Sequence, residues 1–132
     1  MRTAALFKGR QLLAAHIAFA ESWCARARGL LGTTELPRGH GLCLVPCRAV
    51  HTFFMRYALD LVFLDAEWRV VSVEWDVRPW RMAQGGRRAR AVVEVSSGWL
   101  AREALTAGDK IDFVFHDGTA DESITTPGTD GL

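Results

Sequence analysis

The sequence predicts a mainly β domain, an antiparallel sandwich or open barrel carrying two short helices at about 22–31 and 97–107. Three observations lead there. Apolar, β-branched and aromatic residues come in short runs, not long stripes. Turn residues interrupt those runs about every 8–12 positions. Only two stretches combine helical periodicity with a capping residue ahead and a glycine behind. At 132 residues the chain makes one domain, long enough to enclose a hydrophobic core.

Ala4 to Lys8 and Leu12 to Ala20 read as strands joined by a turn at Gly9-Arg10. Ser22 stands where a helix cap is needed, and Trp23, Ala27, Leu30 and Leu31 share one face as far as Gly32. Thr33 to Gly41 is a Pro- and Gly-bearing loop. Leu42 to Val45 reads as a strand stopped by Pro46. Ala49 to Met55 reads as the next, with its adjacent Phe53 and Phe54 on opposite faces. Leu59 to Leu64 follows. Arg69 to Val77 alternates, placing Val71, Val73, Trp75 and Val77 on one face and Ser72, Glu74 and Asp76 on the other. Arg78 to Arg90 reads as a loop with five arginines. Ala91 to Ser96 is a strand, Ser97 is placed to cap a helix that Gly108 ends, and Ile111 to Phe115 is the last strand. Residues 1–115 form the domain, and 116–132 an acidic tail whose composition predicts disorder.

Apolar residues make up 49% and charged residues 23%, an ordinary globular balance. The net charge of +1 hides an asymmetry. Residues 1–115 hold all 16 Lys and Arg against 11 acids, while the tail adds Asp117, Asp121, Glu122, Asp130 and no base. Such a modest surplus in the body argues against nucleic acid as a partner, although the Arg78–Arg90 loop interleaves Trp80, Met82 and Gln84 with its arginines. Three cysteines cannot all pair within one chain, and Cys43 and Cys47 would lie ~13 Å apart on a straight strand. Reduced thiols and a cytoplasmic location are the expectation. Arg2, Lys8 and Arg10 beside LLAAHIAFA imitate an export signal, but the apolar run is short and broken by His16. No run approaches the ~20 apolar residues of a membrane span.

Arg28-Gly29-Leu30-Leu31-Gly32, Gly41-Leu42, Phe54-Met55-Arg56 with Leu59-Asp60-Leu61-Val62-Phe63-Leu64-Asp65, Val93-Glu94-Val95-Ser96-Ser97-Gly98 and Ala107-Gly108-Asp109 occur in a telling order. Together they resemble the signature of the domain-of-unknown-function family 192, over roughly residues 12 to 115. The resemblance implies a compact, mainly β domain of jelly-roll-like type and implies no reaction. Two departures stand out. Tyr57-Ala58 replaces the family's polar pair, and Cys47 with Val50-His51-Thr52 resembles only a subset. Some of that subset keep the genomic company of pilus-assembly or secretion genes.

Four constellations could carry chemistry. His40, Cys43, Cys47 and His51 are zinc-type ligands, but their spacing straddles two strands and a proline, so no metal is expected. Cys47, His51 and Met55, four apart, would form a row on one strand face, as an activated thiol, a soft-metal site or the wall of a groove. Arg28, Asp60 and Glu94 place charge among apolar neighbours, which favours a paired structural role over acid–base work. The arginine loop is the fourth. No phosphate-binding glycine loop, Gly-x-Ser-x-Gly or His-Glu-x-x-His is present. The leading expectation is a non-catalytic binding or accessory domain with no cofactor. It would present Cys47, His51, Phe53, Met55, Arg56, Trp75 and Trp80 to a small molecule or a protein partner, with Arg28, Asp60 and Glu94 as structural polar core. The alternative is a small metal- or thiol-dependent hydrolytic enzyme using Cys47 and His51 with Asp60 or Glu94.

Overall fold

The structure is a computed structural model and describes residues 1–22, 25–26 and 29–117. Nine strands run in chain order: β1 (Thr3–Lys8), β2 (Gln11–Ala20), β3 (His40–Leu44), β4 (Ala49–His51), β5 (Leu59–Leu64), β6 (Val70–Val77), β7 (Met82–Gln84), β8 (Ala91–Ser96) and β9 (Asp112–Phe115). Seven of them form one sheet in the order β6-β5-β8-β3-β2-β1-β9, and β4 pairs with β7 in a separate ribbon. The mainly β expectation holds, with one addition. β2 and β3 run parallel, so the large sheet is mixed. It is also open: its edge strands β6 and β9 form no ladder with each other, although an isolated bridge joins Arg69 to Lys110 and Val70 bonds the backbone of Gly108 and Asp109.

Both faces of the sheet are buried, which explains runs that do not alternate. β5 and β8 are buried on nearly every residue. Ile17, Phe19, Cys43, Val62, Leu64, Val93, Val95 and Phe113 pack on the inner face. Leu42, Leu44, Leu59, Leu61, Phe63 and Val92 pack on the outer face, where Leu30, Met55 and Ala89 cover them. The β4–β7 ribbon belongs to that outer layer, with Val50 and Ala83 packed on it. Gly85 is needed just after β7, because a Cβ there would sit 2.6 Å from the Phe63 ring.

Several local expectations are corrected. The helix expected over 97–107 is absent, and a 3-10 turn at Arg102–Ala104 stands in its place. Gly98 is left-handed at φ 87° and the Trp99 indole donates to Leu13 O at 3.0 Å, so the chain is pinned to the sheet before a helix can start. In the first helical stretch Ser22 Oγ does accept the Ala25 N–H at 3.1 Å, and Ala25 and Arg26 are helical. Gly29, at φ 51°, already stands in a turn, short of Leu31. Residues 23, 24, 27 and 28, and so Trp23, Cys24, Ala27 and Arg28, lie outside the described residues, as does the tail beyond Asp117.

The strand expected over Ala49 to Met55 stops at His51, because the Met55 N–H turns back to Thr52 O at 3.1 Å. The arginine loop contains a strand, β7, whose three residues pair with β4. The single apolar face expected for β6 is split. Register shifts against β5 send Val73 and Trp75 to the inner core and Val71 and Val77 to the outer one.

Candidate ligand-binding site

A cavity of about 180 Å³ opens on the outer face. Its walls come from four places: Arg26 with the turn at Gly29, Leu30 and Leu31, the sheet (Leu44, Leu59, Glu94), Cys47 with β4 (Ala49, Val50, His51), and the returning Met55. The row Cys47, His51 and Met55 thus becomes a ring. On a straight strand its ends would stand ~26 Å apart. The bend after β4 folds Met55 back so that all three face one space.

Thr52 makes that bend. It is 1% exposed. Its N–H donates to Arg81 O at 2.8 Å, and its carbonyl accepts the Trp80 and Met55 N–H groups. Its hydroxyl donates to Arg78 O at 2.6 Å and accepts the Arg81 N–H at 2.9 Å. These bonds hold Phe54 at φ 67° and Trp80 at φ 70°, left-handed conformations that cost bulky side chains on the order of 1–2 kcal/mol. The rings then form a ladder at the rim. His51 and Phe53 centroids are 4.8 Å apart, Phe53 stacks on Trp80 at 5.7 Å, and Phe54 meets Trp80 at 4.6 Å. From sequence Thr52 enters only within the Val50-His51-Thr52 resemblance, and nothing there points to its role in the bend.

Glu94 lies on the cavity wall and is 5% exposed. No hydrogen bond or ion pair reaches its carboxyl from the described residues. Burial alone raises its pKa from 4.5 to about 7. A Cβ at Gly29 would stand 4.0 Å from Glu94 Oε1, so the turn packs close above it. Half-buried Cys47 donates its thiol to Ala49 O at 3.2 Å, and burial pushes that thiol upward. His51 Nδ1 accepts the Phe53 N–H at 3.3 Å.

The remaining candidates lie elsewhere. Asp60 is buried near the start of β5, where strand alternation turns it to the face opposite Leu59. It accepts the Asp76 N–H at 2.8 Å and the Gly98 N–H at 3.2 Å, each from a left-handed residue. Trp75 is on the inner side with the Arg102 guanidinium 5.5 Å above its ring, apart from His51 and Trp80. Arg56 is exposed. The four zinc-type residues do not converge. Cys43 is in the inner core, Cys47 and His51 line the outer cavity, and His40 stacks on His16 at 4.7 Å. Cys43 and Cys47 are free thiols. Among the described residues no three His, Cys, Asp or Glu are grouped to hold a metal ion, and no helix is long and apolar enough to cross a membrane.

The fold and site define a small open-sheet β domain whose outer cavity, beside a two-stranded ribbon, is lined by the buried carboxyl of Glu94. The chain belongs to the domain-of-unknown-function family 192, described as an uncharacterised ACR, whose model matches residues 5–113. A UPF0127 protein of Pyrococcus horikoshii is 33% identical over 100 residues, covering 72% of this chain and 84% of its own length. A UPF0127 protein of Pyrococcus furiosus is 28% identical over 111 residues, covering 80% and 92%. The crystal structure of a Novosphingobium aromaticivorans protein of unknown function superposes with a TM-score of 0.71 at 21% identity, covering 83% of this chain and 82% of that one, a likeness of fold.

Proposed function

We propose that this domain is a non-catalytic binding protein whose outer-face cavity takes the end of a small molecule or one side chain of an extended peptide. The observation that carries the reading is the cavity itself, where Cys47, His51, Met55 and Glu94 line one space of about 180 Å³ with apolar walls between them. The ladder of His51, Phe53 and Trp80 extends the contact surface beyond the mouth. Arg56 is available at the surface to an anionic part of the same partner. Trp75 is not part of this surface. A protein partner drawn from pilus-assembly or secretion machinery would fit the extended-peptide form.

The hydrolytic alternative is less well supported. A thiol pushed up by burial is the reverse of an activated nucleophile, and both Asp60 oxygens are engaged by backbone donors away from Cys47. The test is a fragment screen by methyl-detected NMR on the full chain, repeated on Ala49→Trp, which narrows the cavity. Hits that perturb Leu44, Val50 and Leu59 methyls and vanish in the variant are expected. Hits that survive in Ala49→Trp would count against the cavity.

A further inference from the structure

Glu94 stands out among the polar side chains of the cavity. Cys47 Sγ donates to Ala49 O, His51 Nδ1 accepts from Phe53, and the Arg26 guanidinium donates to Glu21 O at 2.6 Å. Glu94 alone has neither a donor nor an opposite charge from the described residues, and Leu30, Leu44, Met55 and Leu59 leave it in an apolar surround. Among the described residues this carboxyl finds no N–H donor and no positive charge. A primary ammonium brings both.

We propose that the cavity receives a primary ammonium at the end of a short apolar chain, with Glu94 as its counter-ion; this rests on the cavity being a ligand site. The size agrees. About 180 Å³ is room for roughly six waters at ~30 Å³ each, which suits four methylenes and a nitrogen. A free alkylamine and a lysine side chain share that chemistry. Arg26 makes no ion pair with Glu94, and its bond to Glu21 O holds its guanidinium at the rim. The titratable groups facing the cavity are Arg26, Cys47 and His51. Tyr57, on the chain after Met55, and Cys43, across the sheet, feel the Glu94 charge. Imidazoles in general change charge between pH 5 and 8, so His51→Ala is the necessary control.

The experiment is calorimetric titration of the full chain with n-butylamine, n-butanol and n-butyrate, with methyl NMR to locate binding. n-Butylamine is expected to bind roughly tenfold more tightly than the other two, as a desolvated ion pair requires. Its affinity should rise from pH 6 to 8 in wild type, with proton release near pH 7, and the sign of that pH dependence should persist in His51→Ala even where the affinity itself changes. Glu94→Gln should lose the amine preference and keep n-butanol binding. Equal binding of n-butanol and n-butylamine, or an affinity that falls as pH rises, overturns the ammonium assignment and leaves the cavity reading standing. Failure of all three ligands to move the Leu44, Val50 and Leu59 methyls overturns both. Should Glu94→Gln not fold, the wild-type pH series decides alone. A blocked Gly-Lys-Gly peptide run against its norleucine analogue identifies the source. Binding tighter than n-butylamine names a lysine-bearing partner, and weaker binding names a free amine.

Discussion

Glu94 is held at a cost that depends on pH. Its carboxyl titrates near 4.5 when exposed and near 7 in the fold. Between those values the folded chain binds more protons than the unfolded one, so stability falls as pH rises through the interval. Glu94→Gln removes the charge and keeps the shape. The variant is expected to match wild type near pH 4 and to exceed it by about 3 kcal/mol above pH 8, read from urea unfolding midpoints. A stability difference that does not change with pH would mean that burial of this charge is not what separates the two proteins. At this scale the sequence was half legible. Asp60 and Glu94 were visible as carboxyls among apolar residues, but their environments differ in ways no spacing records. Asp60 meets two backbone donors, and Glu94 meets none from the described residues. The role of Thr52 was invisible, because it lies in bonds to Arg78 and Arg81 across a ribbon that had first to be found.

Strands that are regular were legible, and strands that are bent were not. β5 and β8 were read directly from apolar runs that each hold one carboxylate, and the β1–β2 hairpin from Gly9-Arg10. β6 shows the limit. Its alternation was correct as sequence, yet Asp76 at φ 53° introduces a bulge that moves Trp75 and Val77 to opposite cores. The left-handed residue is fixed from outside the strand, by Asp60 on its N–H and Ser97 Oγ on its carboxylate at 2.8 Å. Asp60→Ala should therefore cost about 2 kcal/mol, since it removes two hydrogen bonds to a buried carboxylate while their donors lie on exposed residues. Amide exchange at Asp76 and Gly98 should quicken together in the same variant. Unaltered exchange at both would remove Asp60 from this role. β7 was hidden by its three-residue length inside an arginine-bearing loop. Helix 97–107 was a false positive, since leucines five apart can also tether an irregular segment to a core, as Leu100 and Leu105 do here.

The whole molecule is a curled sheet with a core on each side, and its two faces do different work. The inner core is sealed by aromatic contacts: Phe113 lies 4.9 Å from Phe19 and 5.0 Å from Trp68. The outer core is thinner and covered by a turn and a ribbon, and that is where the cavity lies. β9 pairs with β1, far before it in the chain: Ala4 opposes Phe115 and Leu6 opposes Phe113. During synthesis the β1–β2 hairpin therefore leaves the ribosome with its outer edge bare, well before the residues that cover it. Until then β1 is an unpaired template for other chains. A chain ended at Asp109 should accordingly aggregate, seen as light scattering at concentrations where the full chain stays clear, whereas a soluble, cooperatively unfolding fragment would contradict this. Slow translation would lengthen the exposed interval, and any factor that shields a nascent β edge would act on this protein at β1.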